Sequence, residues 1–346
     1  MPQRRHAGYN AGMDAQVYIF DPATMLPSGG KGLATLDANV PTPLRWAAWH
    51  PDGHQCLLVG NRGVAVRYRP DASGNTSWEE IDTGTTRNLR GVAFSPNAEQ
   101  ALLVGNRGAV LLYDDASSIR ELPSPTSENL RRVAWHPQGG MALVVGNAGT
   151  VLRYDPSASL GAGNALTPVP GDRAHTLRAI AWRPDGAYAL VGAYASRWAG
   201  YPRPHSLYTC DGTFLQALAT SDEEDDFVAV DWHPDGKRAL IAGYAFASHE
   251  HDRGRASNKL LTYDGRGFSY QMVEQAGSLL GAAWHPDGEY ALLCGEGGLL
   301  LTLRASDGQI EALDSGTNDN LVGPFWRPDG SSALLLRGPQ KRVYTV

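Results

Sequence analysis

The sequence is short of several things, and each shortage narrows what it can be. Three cysteines (Cys56, Cys210 and Cys294) in 346 residues are an odd number, and none has a metal-ligand spacing. All three fall inside predicted strands, where free buried thiols are common, so a reducing, cytoplasmic setting is expected. Charged residues make up only 19% and the formal net charge is -6, which offers no general attraction for nucleic acid or an anionic membrane. No apolar run is long enough to span a bilayer. Met1 to Met13 contains Arg4-Arg5 with no apolar core after it, so no secretory signal is expected, and residues 1–14 read as a loose polar tail. No Ser-His-Asp order, phosphate loop or paired-Cys site is recognisable.

What is present in excess is punctuation. Gly 40 and Pro 22 separate apolar runs of about five residues, too short for ordinary helices. The stretch Trp284 to Leu303 shows the unit: Trp284-His285-Pro286-Asp287-Gly288, then Ala291-Leu292-Leu293-Cys294-Gly295, then Glu296-Gly297-Gly298, then Leu299 to Leu303. It reads strand, turn, strand, turn, strand. The phrase recurs seven times, anchored on Trp49, Phe94, Trp135, Trp182, Trp232, Trp284 and Trp326. The anchors lie 41 to 52 residues apart, the range of propeller blades.

Each anchor closes a first strand: Leu44–Trp49, Leu89–Phe94, Leu130–Trp135, Leu177–Trp182, Phe227–Trp232, Leu279–Trp284 and Leu321–Trp326. A Pro-centred turn follows, then a second strand of the Ala-Leu-Leu-Val-Gly type, a third ending near Tyr, as in Val151–Tyr154, and a more variable fourth. Four short strands cannot bury both faces alone, whereas seven such sheets in a ring cover one another and remove most open edges. The expected fold is an all-β, seven-bladed β-propeller over residues 15–346, one domain, with the anchoring aromatics between blades. The seventh repeat is incomplete, and the N-terminal strand Leu33–Val40 is expected to complete it. Val17–Phe20 is then one strand too many; it either takes the place assigned to Arg342–Val346 or adds at the rim.

The Trp-His-Pro-Asp-Gly phrase followed by Ala-Leu-Leu-Val-Gly resembles WD-repeat and TolB-type propellers. The Gly-Asn-x-Gly turn leading to Leu-Arg-Tyr-Asp is similar to bacterial propellers of unassigned role. The Gly-His of WD repeats is absent, and Tyr-Asp stands in for Trp-Asp at Tyr113-Asp114, Tyr154-Asp155 and Tyr263-Asp264. The resemblance implies the fold and, by analogy, a binding platform that meets a protein or peptide partner; it carries over no catalytic residue.

Function is sought where the repeats differ, because shared residues are explained by packing. The turn between second and third strands is tight in repeats one, two, three and six, for example Gly60-Asn61-Arg62-Gly63. In repeats four and five it is replaced by insertions at 193–205 and 244–258. The first carries Tyr194, Trp198 and Tyr201; the second carries Tyr244, His249, His251, Asp252 and Arg253. Both are expected on one face, as a wall beside the central mouth, where aromatic and arginine side chains favour binding. The alternative is a pair of ordinary solvated loops.

The second difference is Asp222-Glu223-Glu224-Asp225-Asp226, before the first strand of repeat five. Beside His249, His251 and Asp252 it could hold a divalent metal, although a solvated acidic loop has the same composition. The third is arginine four residues before the anchor. Arg45, Arg90, Arg131 and Arg178 hold that place in the first four repeats, with Arg132 as a further charge, and Val228, Leu280 and Val322 hold it in the last three. Planar guanidinium groups suit carboxylate or phosphate. Either an anionic ligand or acidic segment docks on this arc, or each arginine bridges blades.

Two functions follow as expectations. The first is a binding scaffold for a protein, peptide or small anionic ligand on the insertion face, using Arg45, Arg90, Arg131, Arg178, Tyr194, Trp198, Tyr201, Tyr244 and Arg253. The second is a metal-assisted lyase or hydrolase acting on a small anionic or glycan substrate. There, Arg90, Arg131 and Arg178 hold the anion, and His249 or His251 serves as base or ligand near Glu224 or Asp226. His50, His136, His233 and His285 share one turn position on the opposite face and read as structural. A single faint Asp-box-like stretch, Pro70 to Trp78, is given no weight.

Overall fold

Seven four-stranded sheets form a closed ring. The computed structural model describes residues 15–25, 32–70, 76–114, 118–158, 164–172, 176–194, 206–218, 225–245, 258–273 and 277–338. Blades are numbered in chain order from Leu44. Six of them are built from four consecutive antiparallel strands; blade 1, for instance, comprises Leu44–Trp49, Cys56–Gly60, Ala65–Pro70 and Thr76–Ile81. The first strand of every blade packs against the first strands of both neighbours, so these seven strands form the innermost ring around the axis. Their bounds match the repeat, with Thr176–Trp182 starting one residue earlier and Asp225–Trp232 two residues earlier than expected.

Blade 7 is shared by the two ends of the described chain. Leu321–Trp326 and Ala333–Arg337 supply its inner strands, Gln16–Phe20 its third and Ala34–Asp37 its fourth. The N-terminal segment thus provides two strands, and Val17–Phe20 occupies the place provisionally given to Arg342–Val346, which lie outside the described residues. The reason is register: Val17 to Phe20 align against Leu336 to Ala333, which buries Val17, Tyr18 and Phe20 in the cores flanking blade 7.

The core lies between blades. Second strands are buried on both faces, as in Cys56–Gly60 and Ala142–Gly146, which is why they read as continuous apolar runs rather than alternating ones. The anchoring indoles pack across each junction and, in four of them, donate Nε1 to the neighbouring blade. Trp49 reaches Phe325 O at 3.1 Å, Trp135 reaches Ala93 O at 3.1 Å, Trp182 reaches Ala134 O at 3.2 Å, and Trp326 reaches Ala283 O at 3.4 Å. The three cysteines are free and buried, and burial pushes the Cys210 thiol up to about 11. Among the described residues no helix is long and apolar enough to cross a membrane.

Candidate functional site

Each face of the ring has its own inter-blade fastening, and the two must be separated before a site can be recognised. On the face of the Pro-centred turns, His136 Nε2 donates to Gly186 O at 3.0 Å, His233 to Gly288 O at 2.9 Å and His285 to Gly330 O at 2.9 Å. Each of these rings also lies edge-on to the next blade's tryptophan at 4.7 Å. The acceptor glycines adopt positive φ, and a Cβ on Gly186 would sit 2.4 Å from His136 Nε2. At the junction where Ala98 replaces glycine, His50 still makes the bond, stretched to 3.3 Å. These histidines are links between blades, as their shared position implied. Sequence reading missed that Arg183 and Arg327 do the same work, donating Nε to Gly236 O at 3.1 Å and Gly53 O at 3.0 Å.

The opposite face holds the mouth. There every first strand is interrupted by a bulge. In blades 1 to 4 the extra residue is Arg45, Arg90, Arg131 or Arg178, and in blades 5 and 6 it is Val228 or Leu280. A bulge leaves its residue out of the ladder and re-aims the side chain. In blade 7 the irregularity falls between Val322 and Phe325. All seven positions, counting Val322, are half-buried rather than enclosed.

Three of the arginines are held alike. Arg45, Arg90 and Arg131 each donate Nε to the Asn sixteen residues on, Asn61, Asn106 and Asn147, at 3.1, 3.2 and 2.9 Å. Arg and Asn therefore come as a pair in the first three repeats, a signal legible in the sequence as a fixed spacing. Among the described residues no carboxylate forms an ion pair with Arg45, Arg90, Arg131 or Arg132. Burial, then the charges of Arg45, Arg131 and Arg178, pushes Arg90 down to about 10. Burial followed by Arg178 lowers Arg131 as well, and burial alone lowers Arg45.

Arg132 lies beneath this rim. Its Nη1 donates to Arg90 O and Arg131 O, both at 2.8 Å, and its guanidinium stacks 3.5 Å from the ring centre of Trp46, two blades away. Gly91 stands at the same register in the blade between them. A Cβ there would lie 2.9 Å from Arg131 O and 3.1 Å from Arg132 Cα, so glycine leaves the space at this crossing. Trp46 meets Phe325 of blade 7 edge-on at 4.8 Å. Arg132, Trp46 and Phe325 together form a floor across the channel. Arg132 Nε is buried without a hydrogen-bond partner, and burial followed by Arg178, Arg131 and Arg90 pushes this guanidinium down to about 9.

The strands that lead into the two insertions are described as far as Tyr194 and Ala245. Ala189–Tyr194 and Ala239–Ala245 both run out at the mouth end, where Tyr194 pairs with Thr176 and Ala245 with Asp225, one and two residues beyond the last pair of the other blades. The strand ends that precede both insertions therefore lie on one face. Tyr194 and Tyr244 are strand residues at that edge. Trp198, Tyr201, Arg253, His249, His251, Asp252 and Glu224 lie outside the described residues. Asp226 is buried, 2% exposed, at the register where Asn88, Asn129 and Asn320 take backbone N–H groups of the preceding blade's turn. That register belongs to a blade junction, while the mouth position of blade 5 is held by Val228. Among the described residues no three His, Cys, Asp or Glu gather in a metal-binding group.

No protein-family model and no curated protein matches this chain. Among solved structures it is similar to a chain of Kuenenia stuttgartiensis hydrazine synthase, with a TM-score of 0.66 and 14% identity over 85% of this chain and 92% of that one. At that identity the likeness concerns the fold alone.

Proposed function

We propose that this propeller is a binding scaffold whose insertion-bearing face takes an anionic ligand at the mouth, either a small molecule or an acidic segment of a partner protein. One observation carries the reading. Arg45, Arg90 and Arg131 converge with Arg178 above Arg132, and among the described residues no carboxylate pairs with Arg45, Arg90, Arg131 or Arg132. Holding like charges together in a half-buried site is costly unless an opposite charge joins them. A carboxylate or phosphate group would meet several Nη donors at once, and such charge-assisted bonds are the strong ones. The Asn partners support this reading, since they engage only Nε and leave the terminal Nη groups for a ligand. The insertions at 193–205 and 244–258 would then border the ligand.

Isothermal titration calorimetry with pyrophosphate, citrate and an Asp/Glu-rich peptide tests it. Binding by the wild type that weakens at least tenfold in both Arg90→Ala and Arg131→Ala is the expected result. No binding by any of the three probes rejects the reading. No observation among the described residues favours the metal-assisted enzyme.

A further inference from the structure

The mouth has two unlike halves. Across from the four arginines, the bulge position carries Val228 and Leu280, both half-buried and so partly open to water, while in blade 7 Val322 stays in the ladder opposite Leu336 and packs against the inter-blade core. The floor is divided in the same sense. Arg132 comes from the basic side, whereas the half-buried Trp46, backed by the buried Phe325, offers aromatic surface toward blades 1 and 7. A site evolved for a bare inorganic anion gains nothing from two aliphatic side chains and an indole around it. Apolar surface left in contact with water at a binding site is the usual mark of an apolar group that covers it.

We propose that the ligand of this mouth is an amphipathic organic anion: its charged head lies on Arg45, Arg90 and Arg131, and its apolar body covers the open part of Trp46 and packs against Val228 and Leu280. The inference rests on the anion-binding reading above and adds the chemical class. The head carries two or more negative charges, because several guanidinium groups face it and none of Arg45, Arg90 and Arg131 has a carboxylate partner among the described residues. A diphosphate ester and a substituted dicarboxylate share this chemistry.

The test is a chain-length series read by calorimetry on the full chain. One arm compares pyrophosphate with its monoalkyl esters of two, five and eight carbons; the other compares succinate with 2-alkylsuccinates of the same lengths. The expected result is a rise of about three- to fourfold in affinity per buried methylene in at least one arm, and that arm names the head group. Leu280→Gln and Val228→Asn should remove most of this rise and leave the affinity for the bare head ion within about twofold. Arg90→Ala should weaken every member of the series alike. Bare pyrophosphate or succinate binding as tightly as the alkylated forms would overturn the inference and leave the anion site standing. No binding in either arm would overturn the inference, and the anion site falls with it only if citrate and the Asp/Glu-rich peptide also fail to bind. The wild-type series depends on no variant, so a misfolded mutant does not blur the result.

Discussion

Arg327, in the last blade, donates its Nε to the carbonyl oxygen of Gly53, in the first, at 3.0 Å. The bond closes on the turn face a ring that the N-terminal strands close at blade 7. It is chemically the same bond that His136, His233 and His285 make to the glycine of the next blade. Six of the seven junctions have such a donor. The exception lies between blades 2 and 3, where Ser95 bonds within its own turn to Gln100 O at 2.9 Å.

Removing one link should loosen the ring without touching the mouth. His285→Ala is expected to cost about 1–3 kcal/mol, because Gly330 O loses its donor in a partly buried place. His285→Arg should cost much less, since arginine already does this work at Arg183 and Arg327. Chemical denaturation of both variants checks the difference, and anion binding should be unchanged in each.

The missing link can be supplied. Ser95→His should place an imidazole toward Gly139 O, as in the other blades, and stabilise the protein by about 0.5–1.5 kcal/mol. The denaturation midpoint of this single variant decides it. A loss of stability would mean that the buried Ser95 pocket cannot take the larger ring.

Arg132 offers a test of strain held for function. Replacing it with Met removes a shielded cation beside three others while keeping contact with Trp46. Arg132→Met is expected to raise stability by about 1–2 kcal/mol in ligand-free protein, net of the bonds lost to Arg90 O and Arg131 O. The same variant should bind pyrophosphate more weakly. Stability and titration measured on one sample check both halves.

A pH dependence follows from Asp231, whose Oδ2 accepts the backbone N–H of Trp284 at 2.7 Å across a blade junction. Burial pushes this carboxyl up to about 7, against the lowering effect of the Trp284 and Trp232 N–H groups. The folded protein then holds a proton that the unfolded chain releases near pH 4. Its contribution to stability is full below that point and is lost as pH rises to about 7. Wild type should lose up to about 4 kcal/mol relative to Asp231→Asn between pH 4 and 7.5. Parallel curves for the two proteins would show that Asp231 does not titrate in this way.

Blade 7 predicts the effect of a truncation. Deleting residues 15–37 removes its third and fourth strands and exposes Leu334 and Leu336, now fully buried. The shortened chain should lose its cooperative thermal transition. Adding a peptide of residues 15–37 should restore part of it, as circular dichroism would show.

The repeat made the fold legible because blade strands obey local rules: a short apolar run, a Pro-Asp-Gly turn and an anchoring aromatic are each set by neighbours in the chain. The arginine register and the common face of the strand ends that precede both insertions were legible for the same reason, since alternation and turn position determine which end of a strand a residue occupies. Tertiary structure alone decided the rest. Arg132 and Trp46 are 86 residues apart and meet because the ring curves the first blade back within reach of the third. Which strand completes blade 7, which turn residues link blades, and how charge and apolar surface divide the mouth all depend on closure of the ring, and closure brings together residues that no local pattern relates.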